Sequence, residues 1–182
     1  MIFAIRVGPE QHVVLQPWRR MHDFALAPMS PSIRGLTLFM LALPVAFIGS
    51  ALVGPSSLLV APGIALIAIY AWVWLRFRPA RFVVGPDAID VHWPLKHRRI
   101  ARSSILGVRR LDNAELRAII GAGLRVGAGG LWGGFGWLWT THRGIVQMYV
   151  SRADGYVWID RGAERAWLIT PDNPDGFVRA LR

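Results

Sequence analysis

The strongest constraint on the fold is an uncharged, apolar run that spans residues 35–75. Its 41 residues contain no Asp, Glu, Lys, Arg or His. One crossing of a bilayer takes roughly 20 apolar residues, so the run is long enough to cross twice. Soluble helices keep a polar face, and this run has none. The sequence therefore favours membrane-spanning helices over a hairpin buried in a soluble core.

A turn signal divides this run into two helices. The residues Gly-Pro-Ser-Ser at 54–57 are typical of a break between helices. The prediction is a transmembrane hairpin within residues 35–75, with helices at 36–53 and 58–75. Pro44 is expected to kink the first helix, which neighbouring helices in a bilayer can accommodate.

Arginines flank both ends of the hairpin, whereas the connecting turn carries no charge. They are Arg19, Arg20 and Arg34 before it, and Arg76, Arg78 and Arg81 after it. Short loops rich in arginine stay in the cytoplasm. The pattern predicts a multi-pass protein of the cell inner membrane with both termini cytoplasmic. Residues 1–34 form a cytoplasmic N-terminal segment, and residues 76–182 form a cytoplasmic domain.

The chain is strongly basic, with 21 Lys and Arg residues against 11 acids. Most of the excess lies in the domain that follows the hairpin. A basic domain tethered beside an anionic leaflet gains about 1 kcal/mol per nearby cation, so anionic membrane lipids are the expected partner. Nucleic acid also attracts such charge, but the tether favours lipid, and no nucleic acid partner is expected. The chain has no cysteine, which excludes thiolate metal sites.

The N-terminal segment shows weaker patterns. Residues 3–7 and 12–15 have the composition of two short strands around a Gly-Pro pair. Residues 18–29 mix aromatic and basic side chains and are interpreted as an amphipathic segment at the membrane interface.

After the hairpin, short β-type runs alternate with turn residues. Strands are predicted at 81–84, 88–93, 98–105, 108–111, 144–150, 156–159 and 166–169. Residues 153–155 read Ala-Asp-Gly, a hairpin signal. Asp112 and Glu115 have the spacing of a capping box ahead of a short helix. Asn173 and Pro174 begin a C-terminal helix. Seven strands and a terminal helix predict an α+β fold with a small barrel or sandwich.

Two stretches resemble the bacterial pleckstrin-homology-like (PH-like) membrane proteins. They read Gly-Gly-Leu-Trp-Gly-Gly-Phe-Gly at 129–136 and Leu-Ile-Thr-Pro-Asp-Asn-Pro-Asp-Gly-Phe at 168–177. The resemblance covers about residues 36–182 and implies a seven-stranded, bent β-barrel whose end is covered by the C-terminal helix. The turn at 85–87 lacks the basic residues that bind inositol phosphates in the wider group. Phosphoinositide binding is therefore not implied.

The segment 121–136 contains eight glycines in 16 residues. Neither the G-x-G-x-x-G spacing at a strand-to-helix turn nor the P-loop spacing of a phosphate-binding loop occurs there. The glycines are interpreted as structural, allowing sharp bends and close backbone approach in a curved sheet. The predicted structural set is Gly127, Gly129, Gly130, Gly133, Gly134 and Gly136.

Aromatic and basic residues supply the candidate interface. One hypothesis is that the aromatic run docks at the lipid headgroups or against the hairpin, since tryptophan favours the interface; it comprises Trp132, Phe135, Trp137 and Trp139. The alternative is that half of these side chains fill the core. Basic residues that could bind anionic headgroups, or form only a solvated face, are Lys96, Arg98, Arg99, Arg102, Arg109 and Arg110.

The sequence offers little support for catalysis. Its five histidines are scattered, so no metal site is predicted, and neither a catalytic residue nor a cofactor is expected. The interpretation is a non-enzymatic membrane protein that presents a PH-like domain for protein or anionic-lipid interaction. The protein partner is unknown, and homo-oligomers are plausible. The alternatives are a small membrane-interface enzyme acting on lipid or peptide, and a basic nucleic-acid-binding domain.

Overall fold

A computed structural model describes residues 21–54 and 57–182 of the chain. The strands expected at 3–7 and 12–15 lie outside the described residues. Two helices come early in the described part, α1 (Pro31–Val53) and α2 (Val60–Arg76), and the 3-10 turn Ser57–Leu59 immediately precedes α2. The hydroxyl of Tyr70 donates to the carbonyl oxygen of Met40 at 3.1 Å. This bond links the two arms of the hairpin.

Helix α1 and the span Ser57–Arg76, which is α2 with the 3-10 turn before it, are long and apolar enough to cross a membrane. Only 11% of the apolar window of α1 is buried, and 6% of that of the span Ser57–Arg76, so no protein core covers them. This exposure and composition indicate association with a membrane. Helix α1 begins at Pro31, five residues before the predicted start at Leu36. Proline is favoured at the first position of a helix, which is where Pro31 lies.

The first sheet has four antiparallel strands in the order β1-β2-β3-β4. The strands are β1 (His22–Ala25), β2 (Arg81–Val84), β3 (Ala88–His92) and β4 (His97–Ala101). Strand β1 precedes the hairpin and pairs with β2, which follows it, placing Phe24 opposite Phe82. The prediction that residues 18–29 form an amphipathic segment at the membrane interface is therefore wrong for the residues of β1. Phe24 is buried in the protein core and not in lipid.

The second sheet has six strands in the order β5-β9-β10-β8-β7-β6. They are β5 (Gly107–Leu111), β6 (Gly123–Gly129), β7 (Gly134–Thr140), β8 (Gly144–Val150), β9 (Tyr156–Asp160) and β10 (Trp167–Ile169). Strand β10 runs parallel to β8 and antiparallel to β9, and it lies between them. The hairpin predicted around Ala-Asp-Gly at 153–155 is therefore wrong, because β10 occupies the edge on which β8 and β9 would pair.

The described residues form ten strands, three more than predicted. Strands β6 and β7 were missed because glycine has low β-propensity and interrupts the apolar alternation. The third additional strand is β1, which lies within the interfacial segment predicted at 18–29. The two sheets do not close into a barrel but pack as a sandwich, so the predicted α+β fold is confirmed in its sandwich form. The fully buried side chains between the sheets include Phe82, Ile89, Ile100, Phe135, Ile169 and Phe177.

Two short helices complete the domain as predicted. Helix α3 (Asn113–Ile120) begins with the capping box of Asp112 and Glu115 and covers the outer face of the second sheet through Leu116. Helix α4 (Pro174–Leu181) is capped by Asn173, whose side-chain oxygen accepts from the Gly176 N–H at 2.9 Å. Strand β4 ends at Ala101 rather than at the predicted residue 105, because a 3-10 turn follows it.

A buried tyrosine makes the core sensitive to alkali. Tyr149 lies between Trp93 and Trp167, with ring centroids 5.3 and 5.2 Å away, and burial raises its pKa to about 12. The folded state therefore favours the neutral phenol, and its stabilising contribution is complete below pH ~10, the usual pKa of tyrosine. We expect this contribution to fall between pH ~10 and about 12. Denaturation of Tyr149→Phe should show a shallower loss of stability in that window. An unchanged alkaline profile would contradict this assignment.

Candidate functional site

The loop that joins β6 to β7 contacts both the β domain and the hairpin. Its backbone is tight: the Gly130 N–H donates to the Gly133 carbonyl at 3.1 Å. Gly130, Trp132 and Gly133 all have positive φ, at 95°, 59° and 146°. Trp132 is the one non-glycine residue with positive φ in the described part of the chain. A left-handed non-glycine residue costs roughly 1–2 kcal/mol, so contacts of this side chain must offset the strain.

Threonine 37 of α1 receives this loop. Its hydroxyl accepts from the Trp132 N–H at 2.9 Å and lies within donating distance of the Gly130 carbonyl at 3.2 Å and the Ile33 carbonyl at 2.8 Å. The side chain is 3% exposed. One hydroxyl of α1 thereby forms hydrogen bonds with the backbone of the loop that joins β6 to β7, which we call the docked loop.

The indole of Trp132 packs edge-on against Trp74 of α2, with centroids 4.8 Å apart and planes at 77°. The Arg78 guanidinium carbon lies 4.4 Å from the centroid of the Trp74 ring. Trp132 also packs against the core between the sheets. The side chain therefore joins α2 to the β domain, and the left-handed backbone of Trp132 is what aims it there.

Two further attachments hold the helix ends. At the end of α2, the Trp93 indole N–H donates to the Phe77 carbonyl at 3.1 Å. Before α1, the Ser30 N–H donates to the Ser151 carbonyl at 3.3 Å, and the Ser151 hydroxyl donates to the Ala27 carbonyl at 2.6 Å. Both α1 and α2 are thus joined to the β domain, at the helix ends and at the loop between β6 and β7. We call this set of contacts the junction.

We expect Thr37→Val to weaken this junction. Valine keeps the shape but leaves the Trp132 N–H without its acceptor, and an unsatisfied buried donor costs roughly 1–3 kcal/mol. Hydrogen exchange of the full chain in detergent should become faster at residues 130–133. Thr37→Ser keeps the hydroxyl and is the matched control. Equal exchange in Thr37→Val and the wild type would show that the bond does not hold the loop.

The predicted aromatic set divides into three locations. Trp132 lies at the hairpin. Phe135 is fully buried in the core, so its predicted role in lipid contact is wrong. Trp137 and Trp139 are 44% and 53% exposed, but they lie three and five residues beyond Gly134 on β7. At ~3.3 Å per residue, Trp137 and Trp139 are about 10 and 17 Å from Gly134 along the strand.

The glycines act where two strands approach closely. Gly127 lies opposite Gly136 in the β6–β7 pair, and a Cβ on Gly136 would lie 2.6 Å from the Val126 carbonyl oxygen. A Cβ on Gly133 would meet the Val150 carbonyl, and one on Gly134 would lie 3.0 Å from the Met148 side chain. Gly129 is different, because a Cβ there would lie 3.5 Å from Arg125.

The predicted basic residues are dispersed over the domain. Lys96 lies near the end of α2, with its ammonium 4.5 Å from the Trp93 ring centroid. Burial, then repulsion by Arg76 and Arg98, lowers the pKa of Lys96. Arg98 lies over Trp167 at 5.1 Å, and Arg99 is opposite Asp90. Arg102 donates to the Ala180 carbonyl at 3.3 Å, at the far end of α4.

Arg109 and Arg110 lie together in a cleft between β5 and α4. The cleft has a volume of about 430 Å³ and is also lined by Asp175, Val178, Arg179 and Arg182. Arg110 pairs with Asp175 at 2.7 Å, which leaves the cleft with excess positive charge. Sequence analysis missed Arg179 and Arg182. Their three-residue spacing, on the face of α4 opposite Phe177, was a signal that could have identified them.

This arrangement defines a class of protein: a PH-like sandwich that carries two exposed apolar helices suited to a membrane. The comparison with known families agrees, since the Bacterial PH domain family matches residues 80–182. The chain belongs to the bacterial PH domain family. PH domains are generally non-enzymatic. Neither a curated protein nor a solved structure matches the chain.

Proposed function

We propose that this chain is a multi-pass protein of the bacterial inner membrane that presents its PH-like domain at the cytoplasmic face. The domain comprises residues 76–182 completed by β1 from the N-terminal segment, and it binds an anionic lipid surface or a protein partner. The observation that carries the proposal is the junction. Two apolar helices with almost no protein cover are held to the domain through Thr37, Trp93 and Trp132.

The orientation follows from the charges near the junction. The turn between the helices is uncharged, whereas Arg76 and Arg78 lie at the end of α2. The strand ends nearest the helices carry Arg81 and, just before β4, Lys96. Positive charge stays on the cytoplasmic side. This supports a cytoplasmic domain and cytoplasmic termini.

The cleft between β5 and α4 is the best candidate for the anionic partner. It brings four arginines and one aspartate together, and guanidinium groups bind phosphate and carboxylate through paired hydrogen bonds. An anionic headgroup or an acidic segment of a protein suits this chemistry.

Membrane insertion and sidedness are tested on the full chain. The chain has no cysteine, so a single introduced thiol reports unambiguously. We expect the protein to resist carbonate extraction. Ser57→Cys should react with an impermeant maleimide from outside the inner membrane, and Ala163→Cys only after the membrane is opened. Extraction by carbonate, or the reverse labelling pattern, would overturn the proposal.

Binding by the cleft is tested with full chain in phosphatidylcholine nanodiscs. Co-sedimentation with vesicles containing phosphatidylglycerol should weaken as salt increases. Arg109→Gln with Arg179→Gln should reduce binding about thirtyfold, if each charged contact contributes roughly 1 kcal/mol. Arg117→Gln with Arg125→Gln changes the net charge equally and is the control. Equal losses in both pairs would mean that overall charge, and not the cleft, attracts the vesicles.

A further inference from the structure

An apolar groove runs between the two helices and ends at the docked loop. It has a volume of about 560 Å³ and is lined by Leu41, Pro44, Val45, Ile67, Tyr70, Ala71, Trp74, Leu75 and Trp132. The α2 residues among these have the spacing i, i+3, i+4, i+7 and i+8, so they form one face of that helix. From Ile67 to Leu75 this face is about 12 Å long, at ~1.5 Å per residue.

Arg78 lies two residues beyond the end of α2, beside Trp74 of the groove wall. It lies four residues beyond Trp74 and three beyond Leu75. Its guanidinium carbon is 4.4 Å from the Trp74 ring centroid. The Nε atom is buried and has no hydrogen-bond partner among the described residues. No carboxylate within residues 21–54 and 57–182 forms an ion pair with Arg78, and burial lowers its pKa.

We propose that this groove holds one acyl chain of an anionic phospholipid, whose phosphate is bound by Arg78. The inference rests on the membrane insertion proposed above. An apolar groove beside the Trp74 and Trp132 indoles suits a hydrocarbon chain. A guanidinium beside Trp74 that has no ion-pair partner among the described residues suits a phosphate oxygen, since charge-assisted hydrogen bonds are the strong ones.

A second transmembrane helix fits this groove less well. Helices pack in membranes through small residues that let their backbones approach. In the groove Ala71 alone is small, whereas Tyr70, Trp74 and Trp132 are bulky. A flexible acyl chain adapts to such an irregular wall without close backbone contact.

Native mass spectrometry of the detergent-solubilised full chain tests the inference. The protein is incubated with equimolar phosphatidylglycerol and phosphatidylcholine, and the retained lipid is measured. We expect the wild type to retain one phosphatidylglycerol in preference to phosphatidylcholine. Arg78→Gln should reduce this preference about tenfold, as expected for loss of a charged hydrogen bond to phosphate. Arg76→Gln is the matched control, because Arg76 lies over a different ring, that of Trp72, at 5.6 Å.

Groove occupancy is tested separately from charge. Ala71→Leu should reduce retention of both lipids, since the added side chain fills the groove. Phosphatidylglycerol with a photoreactive acyl chain should crosslink to peptides of α1 and α2 that line the groove. Equal loss in the Arg78→Gln and Arg76→Gln variants would overturn the inference. The inference would also be overturned if the photoreactive lipid did not crosslink to these peptides because a second copy of the chain covered them.

Failure of this inference is distinguishable from failure of the proposed function. Carbonate extraction of the same variants reports insertion alone. If the wild type is extracted, both proposals fall. If every variant stays in the membrane and Arg78→Gln retains lipid like the wild type, only the groove site is wrong. Hydrogen exchange at residues 130–133 checks that each variant keeps the docked loop.

Discussion

Replacing Phe177 with alanine is expected to destabilise the β domain by about 3–5 kcal/mol, the range for truncating a buried aromatic. Phe177 is fully buried. Its ring packs edge-on against Phe24 at 5.2 Å and Phe82 at 6.2 Å. Truncation therefore leaves a cavity where α4 meets two strands of the first sheet.

The consequence extends beyond α4, because Phe24 precedes the hairpin and Phe82 follows it. Their common contact with Phe177 holds together two segments that the helices separate along the chain. Denaturant titration of the full chain in detergent measures the effect, and β1 should show the largest gain in hydrogen exchange. Arg179→Ala, on the outer side of the same helix, should change stability by no more than about 0.5 kcal/mol. A loss below ~1 kcal/mol for Phe177→Ala would contradict the core assignment.

Gly127→Ala is expected to cost about 3 kcal/mol or more. Gly127 has φ of +140°, a conformation nearly restricted to glycine that costs other residues about 1–3 kcal/mol. A Cβ there would also meet the Phe135 carbonyl and lie 3.0 Å from the Gly136 Cα. Both neighbours are backbone, so neither can move aside without shifting β7.

Gly129→Ala is the matched control in the same strand. Gly129 has no positive φ, and a new Cβ would lie in ordinary contact with the flexible Arg125 side chain at 3.5 Å. We expect its free energy of unfolding to stay within about 0.5 kcal/mol of the wild type. Comparable destabilisation by both substitutions would show that glycine content alone, and not the close approach of β6 and β7, is required.

Local sequence signals predicted much of the fold. Apolar composition identified both helices, since hydrophobicity over some 20 residues needs no tertiary information. Short β-type runs bounded by turn residues predicted β2, β3, β5, β8, β9 and β10 to within a residue, and alternation supported β3. Asp112 and Asn173 marked the starts of α3 and α4, because a cap acts within one turn.

The candidate site was predicted only in part. Composition singled out Trp132 but also Phe135, Trp137 and Trp139, because a tryptophan's neighbours in space are not encoded in its immediate sequence. Thr37 lay unnoticed in an apolar helix, although its hydroxyl is what receives the loop. Arg78 was seen only as a flanking charge.

Local sequence is enough to specify the apolar hairpin, the basic β-rich domain after it and the capped helices, because each depends on residues close together in the chain. Tertiary structure alone decided that β1 crosses the hairpin to pair with β2 and that β10 separates β8 from β9. It also decided that the loop around Trp132 docks on Thr37 and Trp74. These contacts join residues far apart in sequence, and their selection depends on which packing buries the most apolar surface while satisfying the backbone.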